Sequence, residues 1–271
     1  MRIYHPVRGV GGALREDSFA VIDDAGVSIG QGGLEYRVLK KMLPDRPLDI
    51  ELNMEAHPLA SDTLFGALSA RAESIKAEQG GLPARLYTRC AIEDTERREY
   101  FTRMGFDDYD GDELFVLEVP QDMKERRRNY SPVGTKGIDV DLRTRTRREE
   151  FLIGLKEFGY VEHANEWLEE RMKEPVFIAR AMYYGSDFVG YVLVTGTQNE
   201  AVLEMVAVEP KWRGKGVARA LIDEVTQQLI SQGVPYLRAN AVRRNQNAMR
   251  MFQRCGFEWV RTNCYLLGRD L

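Results

Sequence analysis

The chain repeats itself. Met104-Gly105-Phe106 and Cys255-Gly256-Phe257 are 151 positions apart, and at that offset Phe101 falls on Phe252 and Asp94 on Asn245. At an offset of 152, Ala56-His57-Pro58 lies on Val208-Glu209-Pro210 and Gly81-Leu82-Pro83 on Gly233-Val234-Pro235. Strand and helix periodicities follow the same order around each match, so the pattern is a duplication with one slipped residue. It restricts the fold to two similar α/β (α+β) units. The 271 residues are enough for each to bury its own core. A polar, basic stretch over 121–137, punctuated by Pro132, Gly134 and Gly137, reads as a linker between a first domain over 1–120 and a second over 138–271.

Periodicity and turn residues place the elements. Residues 1–17 read as loop; 19–23 and 27–39 read as a hairpin closed at Asp24-Ala25-Gly26. Strands over 48–56, 85–91 and 113–119 then alternate with helices over 61–79 and 95–104. The second half predicts a strand over 138–142, helices over 147–158 and 164–173, and a hairpin of 176–183 with 188–194. A strand over 202–208, a helix over 217–231, a strand over 236–242 and a helix over 246–254 come next, and two strands over 257–261 and 264–267 close it.

The run Val202 to Ile222 joins an apolar strand to an amphipathic helix through Glu209-Pro210-Lys211-Trp212-Arg213-Gly214-Lys215-Gly216. A helix start has unpaired N–H groups and a partial positive charge. Glycines at 214 and 216 permit positive φ and remove the Cβ atoms that would hold an anion away. Arg213 and Lys215 add full charges, which suits a pyrophosphate. Taken alone, the stretch is better explained as a plain strand-to-helix turn with solvated cations. The repeat adds an asymmetry, because the counterpart, Ser61 to Gly66, has one glycine and no cation. A phosphate site is expected in the second half only.

Composition narrows the remaining classes. Cys90, Cys255 and Cys264 lack CxxC spacing and could be joined only by His5, His57 and His163, so no metal site is expected. A net charge of −4 argues against general nucleic-acid binding, and the basic runs over 124–128 and 143–148 read as solvated surface. No apolar run approaches the ~18 to 20 residues that span a bilayer. The amino terminus has no signal pattern, which points to a cytoplasmic protein; the sequence leaves monomer and homodimer both open.

The second half resembles the GNAT N-acetyltransferase superfamily. The family's acyl-CoA loop, V-x-P-x-x-R-G-x-G-x-A, is matched by Val208, Pro210, Arg213, Gly214, Gly216 and Ala218. Its following motif, N-x-x-A-x-x-x-(Y/F)-x-x-x-G-F, is matched by Asn245, Ala248, Phe252, Gly256 and Phe257. The first half is similar to a degenerate copy, giving two tandem GNAT-like domains, each a mixed, mostly antiparallel splayed sheet flanked by helices. The resemblance implies acetyl-CoA as co-substrate, no metal, and direct transfer to a small-molecule or peptide amine. Backbone of Arg213, Gly214, Lys215, Gly216, Val217 and Ala218 would hold the pyrophosphate. Strand backbone at Met205, Val206 and Val208, with Asn245 and Phe252, would line the pantetheine arm. Glu204 is the candidate base, placed by strict alternation on the face opposite Met205, with Glu200 in reserve. Phe252 stands where many members have the tyrosine that protonates the thiolate; Tyr265, or Tyr191, is then the candidate acid. His163 reads as a helix-start surface residue. A non-catalytic acyl-CoA sensor is the alternative function.

Overall fold

The computed structural model describes residues 1–121, 132–157 and 164–271. Most of the stretch expected as a linker, and His163, lie outside them. The chain forms two compact units: residues 1–111 with 264–271, and residues 112–263. These are not the contiguous segments 1–120 and 138–271 that the sequence suggested.

In the first unit, β1 (Arg2–Tyr4), β2 (Ser18–Ile22), β3 (Ser28–Val38), β4 (Leu48–Ala56) and β5 (Ala84–Ala91) lie side by side. The 264–270 portion of β12 (Glu258–Asp270) pairs antiparallel with β5, from Cys264 opposite Ala91 to Asp270 opposite Arg85. All pairings are antiparallel except β4 with β5. Helix α1 (Pro58–Glu78) buries Leu64, Phe65, Leu68, Ala72 and Ile75, and α2 (Thr95–Arg103) buries Phe101. Both contribute to one core with Ile50, Leu52 and Leu86.

In the second unit the order is β6 (Gly111–Glu118), β11 (Tyr236–Val242), β10 (Ala201–Val208), β9 (Asp187–Gly196), β8 (Val176–Tyr184) and β7 (Thr135–Asp139). Again one pair is parallel, β10 with β11. Helices α5 (Val217–Gln232) and α6 (Gln246–Cys255) pack on the face that carries Leu203, Leu237 and Ala239. Helices α3 (Arg145–Glu157) and α4 (Ala164–Arg171) precede the hairpin, and Phe151 of α3 meets the Tyr191 ring at 5.1 Å.

Three expectations need correction. Residues 1–17 are not all loop, because Arg2–Tyr4 adds an edge strand to β2. The strand expected over 138–142 lies over Thr135–Asp139, since Gly137 does not interrupt an exposed edge. The two closing strands are one, running through Thr262-Asn263 without a turn. The units are consequently closed by each other's half of the sequence. β6 comes from the first half, and its counterpart at the 151 offset, the 262–269 portion of β12, mostly joins the first unit.

Glu113 fastens the second unit's closing strand. Its buried carboxylate takes Arg243 Nε at 2.7 Å, Trp259 Nε1 at 2.6 Å and Thr262 Oγ1 at 3.1 Å. Three donors on one carboxylate offset the several kcal/mol that burying its charge costs.

Candidate active site in the second unit

The two units open in the same place. In the first, β4 and β5 pair from Leu48 with Ala84 to Glu51 with Tyr87 and then part. In the second, β10 and β11 pair from Ala201 with Leu237 to Leu203 with Ala239 and then part. The final pairs, Glu51 with Tyr87 and Leu203 with Ala239, coincide at the 152 offset. Beyond that point each inner strand has backbone groups on one side that the neighbouring strand does not satisfy, which suits an extended polar ligand.

The segments that leave the two gaps differ. In the first unit Pro58 opens α1 at once, with His57 Nδ1 accepting from Leu59 N at 3.3 Å. Ser61 to Gly66 is therefore inside a helix, and its N–H groups are spent on helical bonds. In the second unit a short 3-10 turn, Pro210–Trp212, delays the helix, and Gly214 and Gly216 take φ of 74° and 83°. Gly216 caps α5 without a side chain, so the amides of its first turn are left for a ligand. A Cβ at Gly214 would meet nothing within 4 Å, so the turn opens to solvent. Burial pushes the Arg213 guanidinium down from its ordinary value, with Glu209 opposing, and an arriving anion would relieve that penalty. Lys215 Nζ lies 4.7 Å over the Trp212 ring.

A β-bulge sets the carboxylate. Leu203 stands opposite Val194 and Met205 opposite Leu193, leaving Glu204 as the extra residue. Ala201 and Leu203 before the bulge, and Val206 and Val208 after it, contact the core under α5. The expected alternation is therefore broken, and Glu204 and Met205 share the other face. Thr195 Oγ1 donates to Glu204 Oε1 at 2.7 Å, and Arg171 Nε, at the end of α4, is 3.3 Å from the same oxygen. The corresponding strand of the first unit pairs through Leu34 with Leu52 without a bulge, and fully buried Leu52 stands where Glu204 does.

The remaining expected residues divide. Asn245 caps α6, its Oδ1 accepting from Ala248 N at 3.1 Å, as Asp94 caps α2 through Arg97 N at 3.0 Å. Phe252 is core, packed on Phe115 and Phe257. Tyr265 belongs to the first unit, opposite Cys90 on β5 with Arg98 4.7 Å from its ring. Tyr191 is buried among Phe151 and Phe188. Glu200 pairs with Arg238 at 3.1 Å. Sequence reasoning did not find Thr195, Arg171, Arg238 or Arg261. The last two line a cleft of about 300 Å³ with Val202, Glu204, Asn240 and Asn263.

The first unit's gap is bridged. Arg97 of α2 donates to Met54 O on β4 at 3.1 Å, to Arg89 O on β5 at 3.2 Å and to Thr88 Oγ1 at 2.8 Å. Its counterpart in the second unit is Ala248. Replacing Arg97 by leucine orphans three acceptors at about 1–3 kcal/mol each when buried. Discounted for partial exposure, the expected loss of stability is about 2–4 kcal/mol by urea denaturation. A loss under 0.5 kcal/mol would mean that water fills the gap equally well.

The sequence profile of the acetyltransferase (GNAT) family matches residues 142–257. The matched stretch is a GNAT acetyltransferase domain. A mycothiol acetyltransferase from Brachybacterium faecium is 26% identical over 150 residues, covering 50% of this chain and 43% of that protein. The chain thus spans under half the length of that curated relative. A GCN5-related N-acetyltransferase from Sphaerobacter thermophilus shares the fold with a TM-score of 0.54 at 16% identity, over 96% of this chain and 82% of that one. A conserved protein of unknown function from Enterococcus faecalis V583 does so with 0.56 at 11%, over 93% and 61%. The GNAT superfamily uses acetyl-CoA as co-substrate. Among the described residues no helix is long and apolar enough to cross a membrane.

Proposed function

We propose that the second unit moves acetyl from acetyl-CoA to a small amine by direct attack, and that the first unit is a scaffold that binds no CoA. The observation that carries this is the asymmetry of two matched gaps. One has an uncapped helix start and a bulged carboxylate; the other has a helix, a leucine and an arginine bridge. The amides of Arg213 to Ala218 would hold the pyrophosphate, and the β11-facing backbone of Val206 and Val208 would pair with the pantetheine amides. Alternation from Glu209 N, which bonds Val189 O at 2.9 Å, turns the Met205 backbone groups toward β9 instead. Arg213 Nε donates to Val208 O at 3.1 Å, which ties the turn to the end of that strand edge and occupies one acceptor there.

Acetyl-CoA supplies an activated acyl group when bound. Glu204 takes a proton from the acceptor nitrogen, directly or through one water, as that nitrogen bonds to the thioester carbon. The C–S bond breaks as the amide forms, and the thiolate takes its proton from water, since Phe252 offers none. Direct attack fits the placement of Cys255, the second unit's one cysteine, which is buried against Met251 Sδ at 3.9 Å.

The test is CoA release from acetyl-CoA with a panel of amines, together with calorimetric titration of acetyl-CoA. One acetyl-CoA per chain and amine-dependent CoA release are expected. Binding without transfer to any amine would favour the non-catalytic sensor, a reading that the lack of a hydroxyl at Phe252 supports.

A further inference from the structure

Resting on that reading, we propose that the acceptor carries an anionic group, a carboxylate or a phosphate, beside its amine, and that Arg261, with Arg238 beside it, recognises that group. The cleft beside Glu204 is lined on the β11 side by Arg238 and Asn240 and on β12 by Arg261 and Asn263. Arg238 stands in register with Val202, two residues from the base.

The partners of these charges are informative. Glu204 is engaged by Thr195 and Arg171. Asp112, at the cleft's edge, accepts from the Asn240 amide at 3.4 Å and the Asn263 amide at 3.3 Å. Arg238 pairs with Glu200 at 3.1 Å, both side chains about two-fifths exposed, and an exposed pair of this kind holds weakly and exchanges readily. Arg261 is exposed and bonds only the Asn263 Oδ1, at 3.3 Å; among the described residues no carboxylate answers its charge. A planar guanidinium at the mouth of such a cleft matches a carboxylate or phosphate with two parallel hydrogen bonds. It would repel an acceptor bearing only further ammonium groups. A volume of about 300 Å³ suits a small metabolite. The amine then meets Glu204 while the anion stays at Arg261.

Acceptor pairs that differ only in the anion test this. The full chain is assayed by CoA release with amino acids against their carboxamides, and with glucosamine 6-phosphate against glucosamine. At least one anionic member is expected to exceed its neutral partner about ten- to a hundredfold in kcat/KM, chiefly through a lower KM. Arg261→Gln should pull that ratio toward one by raising the anionic member's KM, and added salt should act in the same direction. Which series responds separates carboxylate from phosphate. Turnover with neutral members equal to or better than the anionic ones in both series, or a ratio untouched by Arg261→Gln, would overturn the proposal and leave the transferase reading standing. Acetyl-CoA binding with no turnover of any member would overturn both.

Discussion

Glu204→Gln is expected to lower kcat about 10²- to 10⁴-fold while acetyl-CoA binds as before. Glutamine has the same shape, and its carbonyl oxygen can still accept from Thr195 Oγ1, now 2.7 Å from Glu204 Oε1. The bulge is a backbone feature shared with β9 and should persist. What disappears is the ability to take a proton at that point in the cleft. Single-turnover CoA release under saturating acetyl-CoA isolates the chemical step from product release. A fall of less than about threefold would mean that the amine reaches the thioester already deprotonated by solvent, and Glu204 would then serve only its ion pair with Arg171.

The second large effect concerns the cofactor. Gly216→Val is expected to weaken acetyl-CoA binding by at least about a hundredfold, taking calorimetric stoichiometry from one per chain to none. Gly216 has a φ of 83° and is the residue from which α5 begins. A β-branched residue there costs about 1–3 kcal/mol in strain, or it shifts φ and turns the first-turn amides away from the anion. Gly66→Ala is the control in the first unit, at the position that the 152 offset aligns with Ala218. Gly66 lies within α1, where a Cβ meets nothing within 4 Å, so the change should leave binding intact and stabilise the helix by about 0.5–1 kcal/mol. Two sites in the parent chain, or a surviving site in Gly216→Val, would refute the asymmetry between the units.

Much of this was legible in the sequence because it is written in local signals. The helix starts at Asp94 and Asn245, the stop at Gly233 and the turn at Gly214 and Gly216 each express a backbone preference of one or two residues. The splayed sheets followed from the family resemblance and were found at matched positions. Three features were not legible, and each depends on a neighbour distant in sequence. The bulge at Glu204 exists only relative to β9, so alternation along β10 placed Glu204 and Met205 on opposite faces when they share one. The Arg97 bridge reads as a charge on a helix until Met54 and Arg89 are brought beside it. Tyr265 was assigned to the second unit because sequence order was taken for spatial order, and β12 crosses from one unit to the other.

That crossing also orders events in time. A nascent chain that has emerged through Gly111 holds every strand of the first unit but one, and the missing partner of β5 is encoded at 264–270. Until then β5 has an open edge of unpaired N–H and C=O groups, a template for pairing with another chain. Separating the halves at the polar stretch would leave one fragment lacking an edge strand and holding a surplus one, and the other in the mirrored state. The duplication thus yielded a molecule whose halves are individually incomplete, with neither able to finish folding until the other has been made.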